Sequence, residues 1–205
     1  VVHAEKLDDP VKLRKKSRIF VCSTSDLFHE SIDAVHIDAV FSRMVHPMSG
    51  MAHHTYIVLT KRIERLFNDP HCRPEHFAQW PNVWLGVTVE NQARAEERIP
   101  LLLRVPAAKR FLSIEPMLGP VDLTRVKFPT GVYENVLKTD VSEYAAPIIG
   151  KLHGIDWVIC GPENGPRNRH CDTRWIADVQ LDCHTWKVPF FDKRDDAGSV
   201  REWPT

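Results

Sequence analysis

Six short apolar runs in this chain each end in side chains that can carry charge or exchange hydrogen bonds. The run at 18–22 is followed by Ser23, Ser25 and Asp26, and the run at 55–59 by Lys61 and Arg62. The run at 83–89 carries Thr88 and ends on Glu90; the run at 111–114 carries Ser113 and ends on Glu115. Residues 156–160 lead into Glu163 and Asn164, and residues 188–191 into Asp192 and Lys193. Acids and bases gathered at one place can bind a zwitterionic ligand. Carboxylates gathered there can also hold a hard metal ion through oxygen. The competing interpretation is an ion-pair network that only neutralises itself. Recurrence at six run ends weighs against it, because stability alone does not require every run to end this way.

The elements that must position these groups follow from the apolar pattern. Each run is nearly continuous rather than alternating, as in parallel strands covered on both faces. Helical spacing separates them. A helix is expected over 31–45, with Ile32, Val35, Ala39, Val40 and Met44 inward, and a short one over 63–67. A third is expected over 92–103, with Ala93, Ile99, Leu102 and Leu103 inward and Arg94, Glu96, Glu97 and Arg98 in water; Pro100 would kink it. The last runs from Thr173, taken as its N-cap, to His184, over a stripe of Trp175, Ile176, Val179 and Cys183. The order strand–helix–strand predicts an α/β fold: a partial or complete β/α (TIM-like) barrel with parallel strands. Right-handed crossovers then place every strand's carboxyl end on one rim, where such folds bind ligands. Period two puts Thr88 with Glu90, and Ser113 with Glu115, on one side. Residues 1–205 are expected to form a single domain with an insertion at about 120–153, holding one helix near 141–149. No GxGxxG or GxxxxGK[ST] loop follows the first run, against ordinary dinucleotide and nucleoside-triphosphate sites.

Composition narrows the function classes. Formal net charge is zero, so global charge does not point to nucleic acid or an acidic membrane surface. No apolar run approaches the roughly 20 residues of a membrane span. The basic stretch 11–18 is expected to be a solvated face. Five cysteines at long spacings, with no CxxC pair, suggest reduced thiols and a cytoplasmic location, with Cys22 and Cys160 buried in strands. His53 and His54 precede a strand, at the end away from the rim, and are expected at the surface.

The segments RIFVCSTSDLFHE, IVLTKRIERL, NVWLGVTVENQ, RFLSIEPMLGPVDL and DWVICGPENGPRNR, with PFFDKR and the final REWP, resemble the phage Gp37/Gp68-like family of uncharacterised proteins. The likeness covers nearly the whole chain outside 124–153, in one order. The resemblance implies a radical-SAM-like barrel enzyme, cytoplasmic in the host if phage-encoded. In that family an upstream segment carries three closely spaced cysteines, which would ligate a [4Fe–4S] cluster holding S-adenosylmethionine. No such trio is present here, and the chain begins Val-Val-His, so the segment is expected upstream. Ser25, Asp26, Lys61, Thr88, Glu90, Ser113, Glu115, Glu163 and Asn164 would then contact the cofactor. Arg62, Asp192 and Lys193 would contact a small-molecule or nucleotide-type substrate.

Two other functions fit the residues. One is a hydrolase or transferase using Mg²⁺ or Mn²⁺ at Asp26, Glu90, Glu115 and Glu163. The other is a non-enzymatic phage protein binding a host protein or nucleic acid through the insertion and the basic run.

Overall fold

Continuous apolar runs form strands here because both of their faces are covered. The computed structural model describes residues 3–69, 72–140, 154–194 and 199–205. In chain order the elements are β1 (Arg18–Val21), α1 (Ala34–Val45), β2 (Thr55–Thr60), α2 (Arg65–Asn68), β3 (Val83–Thr88) and α3 (Gln92–Leu103). These are followed by β4 (Lys109–Ile114), β5 (Val126–Lys127), β6 (Tyr133–Glu134), β7 (Trp157–Cys160), α4 (Thr173–Trp186) and β8 (Phe190–Asp192). The main sheet has six strands in the order β1-β2-β3-β4-β7-β8. Each new strand adds beyond the last without reversal. This is the winding of a β/α barrel and not of a doubly wound sheet. The fold class is therefore α/β, a partial β/α barrel with parallel strands. Among the described residues no helix is long and apolar enough to cross a membrane.

The chain divides into two compact units, the first comprising residues 1–86 and 105–108 and the second 87–104 and 109–205. In the first, β1 pairs in parallel with β2, Arg18 opposite Thr55 and Val21 opposite Val58. Helix α1 buries Ile37, Phe41 and Met44, a strict i, i+4, i+7 stripe, while Val35 is exposed. Of the expected stripe only Met44 is buried: Val35 is exposed, and Ile32, Ala39 and Val40 are half-buried. Phe41 stacks on Trp80 at 4.9 Å and meets Phe77 edge-on at 5.5 Å, an arrangement that aromatic quadrupoles favour. His54 is fully buried, contrary to expectation. Its Nδ1 accepts from the Ser17 amide at 3.2 Å and its Nε2 lies 3.1 Å from the Pro10 carbonyl, so it ties the N-terminal segment to β2. Cys22 also departs from expectation. It lies past the end of β1, exposed, at a φ of 55°.

In the second unit β7 pairs in parallel with β4 and β8. Among the described residues Trp157 on β7 is the largest fully buried side chain, packed against Phe111, Phe191 and Trp203. Residues 200–202 run antiparallel beside β8 through a bridge at Phe191 and Arg201, covering its backbone groups. Helix α3 has the expected bounds and continues through Pro100. Its buried face, however, contains Ala95 and Arg98 where Ala93 and solvent-facing Arg98 were expected. The N-cap of α4 is Asp172, one residue before the expected Thr173: its carboxylate accepts from the Arg174 amide. Arg174 holds the Asp172 carboxyl down at about 2. The region at 120–153 contains a hairpin that was not anticipated. Strands β5 and β6 pair antiparallel across Gly131, whose φ of 86° suits glycine. The helix expected near 141–149 lies outside the described residues.

Candidate functional site

The strand ends of the second unit bring three glutamates together with their bases. β4 stops at Ile114, and Glu115 follows through a cis bond to Pro116. The carboxylate of Glu115 accepts from Lys193 Nζ at 2.6 Å and from Asn164 Nδ2 at 3.4 Å. Lys193 follows β8 directly, so this pair bridges the ends of β4 and β8, the two strands on either side of β7. The end of β7 must therefore be low. Gly161 meets this need: a Cβ there would sit 2.9 Å from Lys193 Cβ. Its amide donates to the Ile114 carbonyl and its carbonyl accepts from Met117, which fixes the loop against β4.

Glu90 follows β3 and is mostly buried. Arg98 from α3 donates through one terminal nitrogen to Glu90 Oε2 at 2.9 Å and to the Thr88 carbonyl at 2.8 Å. Glu163 accepts from Arg169 three times, from its amide, its Nε and its terminal nitrogen, at 2.9, 2.8 and 2.7 Å. These bonds hold the Glu163 carboxyl at about 2, below its ordinary 4.5. The same bonds hold the Arg169 guanidinium above its ordinary range, and the charge of Glu90 adds to the effect. Glu90, Glu163 with Arg169, and Asn164 with Glu115 and Lys193 thus share one rim.

The other expected site residues make their contacts within their own unit. Thr88 and Ser113 are buried within their strands. Asp192 is 1% exposed and takes a bidentate grip from Arg194 at 2.6–3.1 Å. In the first unit, Asp26 is a latch between loops. Its Oδ1 accepts from the Phe28 amide and the Thr60 hydroxyl at 3.0 and 2.8 Å. Its Oδ2 accepts from the Lys61 amide and Arg62 at 2.9 and 3.2 Å. Arg62 also donates to Glu30. Ser25 is exposed in the turn after β1, its amide on the Cys22 carbonyl.

Two arginines that pair with the rim glutamates are not evident from the sequence pattern. Arg98 was assigned to water, although it lies three residues after Ala95 and four before Leu102, on the buried stripe. For Arg169 the available clue is an acid and a base six residues apart across the turn signal Gly165-Pro166. Among the described residues no group of three or more His, Cys, Asp or Glu could hold a metal ion.

No curated protein and no solved structure matches this chain. A family profile described as a protein of unknown function, DUF5131, matches residues 1–200, nearly the full length. The chain therefore belongs to the DUF5131 family.

Proposed function

We propose that the rim of the second unit is the ligand site of a radical-SAM-type enzyme of the phage Gp37/Gp68-like kind, binding S-adenosylmethionine. The observation that carries this reading is the Glu115–Lys193 pair over Gly161. An α-amino acid head group presents an ammonium and a carboxylate. It can exchange with this pair, the ammonium going to Glu115 and the carboxylate to Lys193, so that each protein charge keeps a partner. Charge-assisted hydrogen bonds of this type are the stronger ones. Asn164 orients Glu115, and Glu90 presents a second carboxylate to hydroxyl or ammonium donors on the rest of the ligand.

The fit is to S-adenosylmethionine and not to the cluster. Burial pushes the thiols of Cys72, Cys160 and Cys183 up, whereas an iron ligand must be a thiolate. In this reading the cluster ligands are the three upstream cysteines implied by the family resemblance. When bound beside a reduced cluster, S-adenosylmethionine supplies the radical chemistry. The residues of this chain bind and orient it. A divalent-metal hydrolase is less favoured, because among the described residues no group of three or more His, Cys, Asp or Glu could hold a metal ion.

The test is iron and sulfide content, with an anaerobic absorption spectrum, on protein expressed from its native start codon. About four irons and four sulfides per chain, with broad charge-transfer absorption, are expected. Anaerobic protein that contains no iron or sulfide would reject the radical reading.

A further inference from the structure

Arg98 occupies a helix position that the fold would give to an apolar side chain. Helix α3 buries Ala95, Ile99, Leu102 and Leu103, and Arg98 lies among them at 7% exposure. Its Nε has no hydrogen-bond partner. A buried guanidinium with an unanswered N–H is a poor stabilising device; apolar residues of similar volume often serve as well or better. The contacts it does make are specific. A single terminal nitrogen is shared between the Thr88 carbonyl, inside β3, and the Glu90 carboxylate, just beyond it. The carbonyl belongs to the backbone of β3. Arg98 therefore ties the direction of Glu90 to the backbone of β3, and the backbone bond from the Leu118 amide to the Glu90 carbonyl fixes the same residue from the β4 side.

We propose that Arg98 is a positioning residue that holds the Glu90 carboxylate in its ligand-facing direction at the rim. This rests on the reading of the rim as an S-adenosylmethionine site. Arg98 itself does not touch the ligand. It acts only through Glu90, so its effect on binding should vanish when Glu90 cannot act. A merely structural arginine would instead weaken binding regardless of residue 90.

The test is a double-mutant cycle on the protein expressed from its native start codon. S-adenosylmethionine binding is measured by anaerobic calorimetry for the wild type, Glu90→Gln, Arg98→Met and the double variant, with thermal unfolding of each. Each single change should weaken binding about tenfold, and the double variant should be no weaker than either single one. Arg98→Lys keeps the charge but is too short to span both acceptors, so it should fall between wild type and Arg98→Met. If Arg98→Met does not fold, the cycle is closed with Arg98→Lys. Losses that multiply in the double variant, or folded Arg98 variants that bind like the wild type, would overturn the proposal. A wild type that binds no S-adenosylmethionine would instead overturn the site reading, and this proposal with it.

Discussion

Trp157→Ala should lower the unfolding free energy by about 4 kcal/mol, the range for removing a large aromatic side chain from a packed core. Trp157 is 2% exposed on the central β7 of the second unit. Its ring centroid lies 5.6 Å from that of Phe111 and 4.7 Å from that of Trp203, and its indole N–H donates to the Glu202 carbonyl at 2.9 Å. The substitution would remove these contacts and leave that carbonyl without its donor. It would also loosen residues 200–202, which cover the edge of β8. Urea unfolding monitored by circular dichroism would show a lower midpoint at an unchanged slope. A loss below about 1 kcal/mol would mean that Trp157 is not the centre of this core.

Asp26→Ala should cost about 3 kcal/mol, a large effect for a residue in a loop. Four donors in the first unit converge on this carboxylate: two amides, a hydroxyl and a guanidinium. Truncation leaves all four without their acceptor, and the loops after β1 and β2 lose their shared anchor. Asp26→Asn keeps the shape but replaces one acceptor oxygen with a donor, and should cost about half as much. Denaturant midpoints for the two variants check the order. Equal stability of Asp26→Ala and the wild type would show that the latch contributes nothing. The result bears on function too, because the carboxylate read from the sequence as a ligand contact is engaged in holding its own loops.

The parallel sheet was legible because its strands are short apolar runs with polar ends, and burial on two faces leaves no other good use for such runs. The bounds of α3 were legible because Asn91 caps it and the charge pattern is strong. The β5–β6 hairpin was not, because two-residue strands carry no periodicity to detect. The expectation for Arg98 rested on its charge, and that for His54 on its place before a strand at the end away from the rim; both residues are buried. His54 is buried because backbone groups of Ser17 and Pro10, far back in the chain, meet its ring nitrogens; Arg98 is buried with one terminal nitrogen on the nearby Thr88 carbonyl and Glu90 carboxylate. Glu90, Glu115, Glu163, Asn164 and Lys193 lie beyond the ends of β3, β4, β7 and β8, where the run pattern puts them. Their pairing was not readable, because Lys193 reaches Glu115 across 78 residues.

The central claim is that Glu115 and Lys193 form the head-group site for S-adenosylmethionine. The most direct measurement is its equilibrium binding to protein expressed from the native start codon, comparing the wild type with Glu115→Gln and Lys193→Met. Saturable binding by the wild type is expected, weakened about tenfold to a hundredfold by either substitution with folding intact. Binding that is absent from the wild type, or unchanged in both variants, would contradict it.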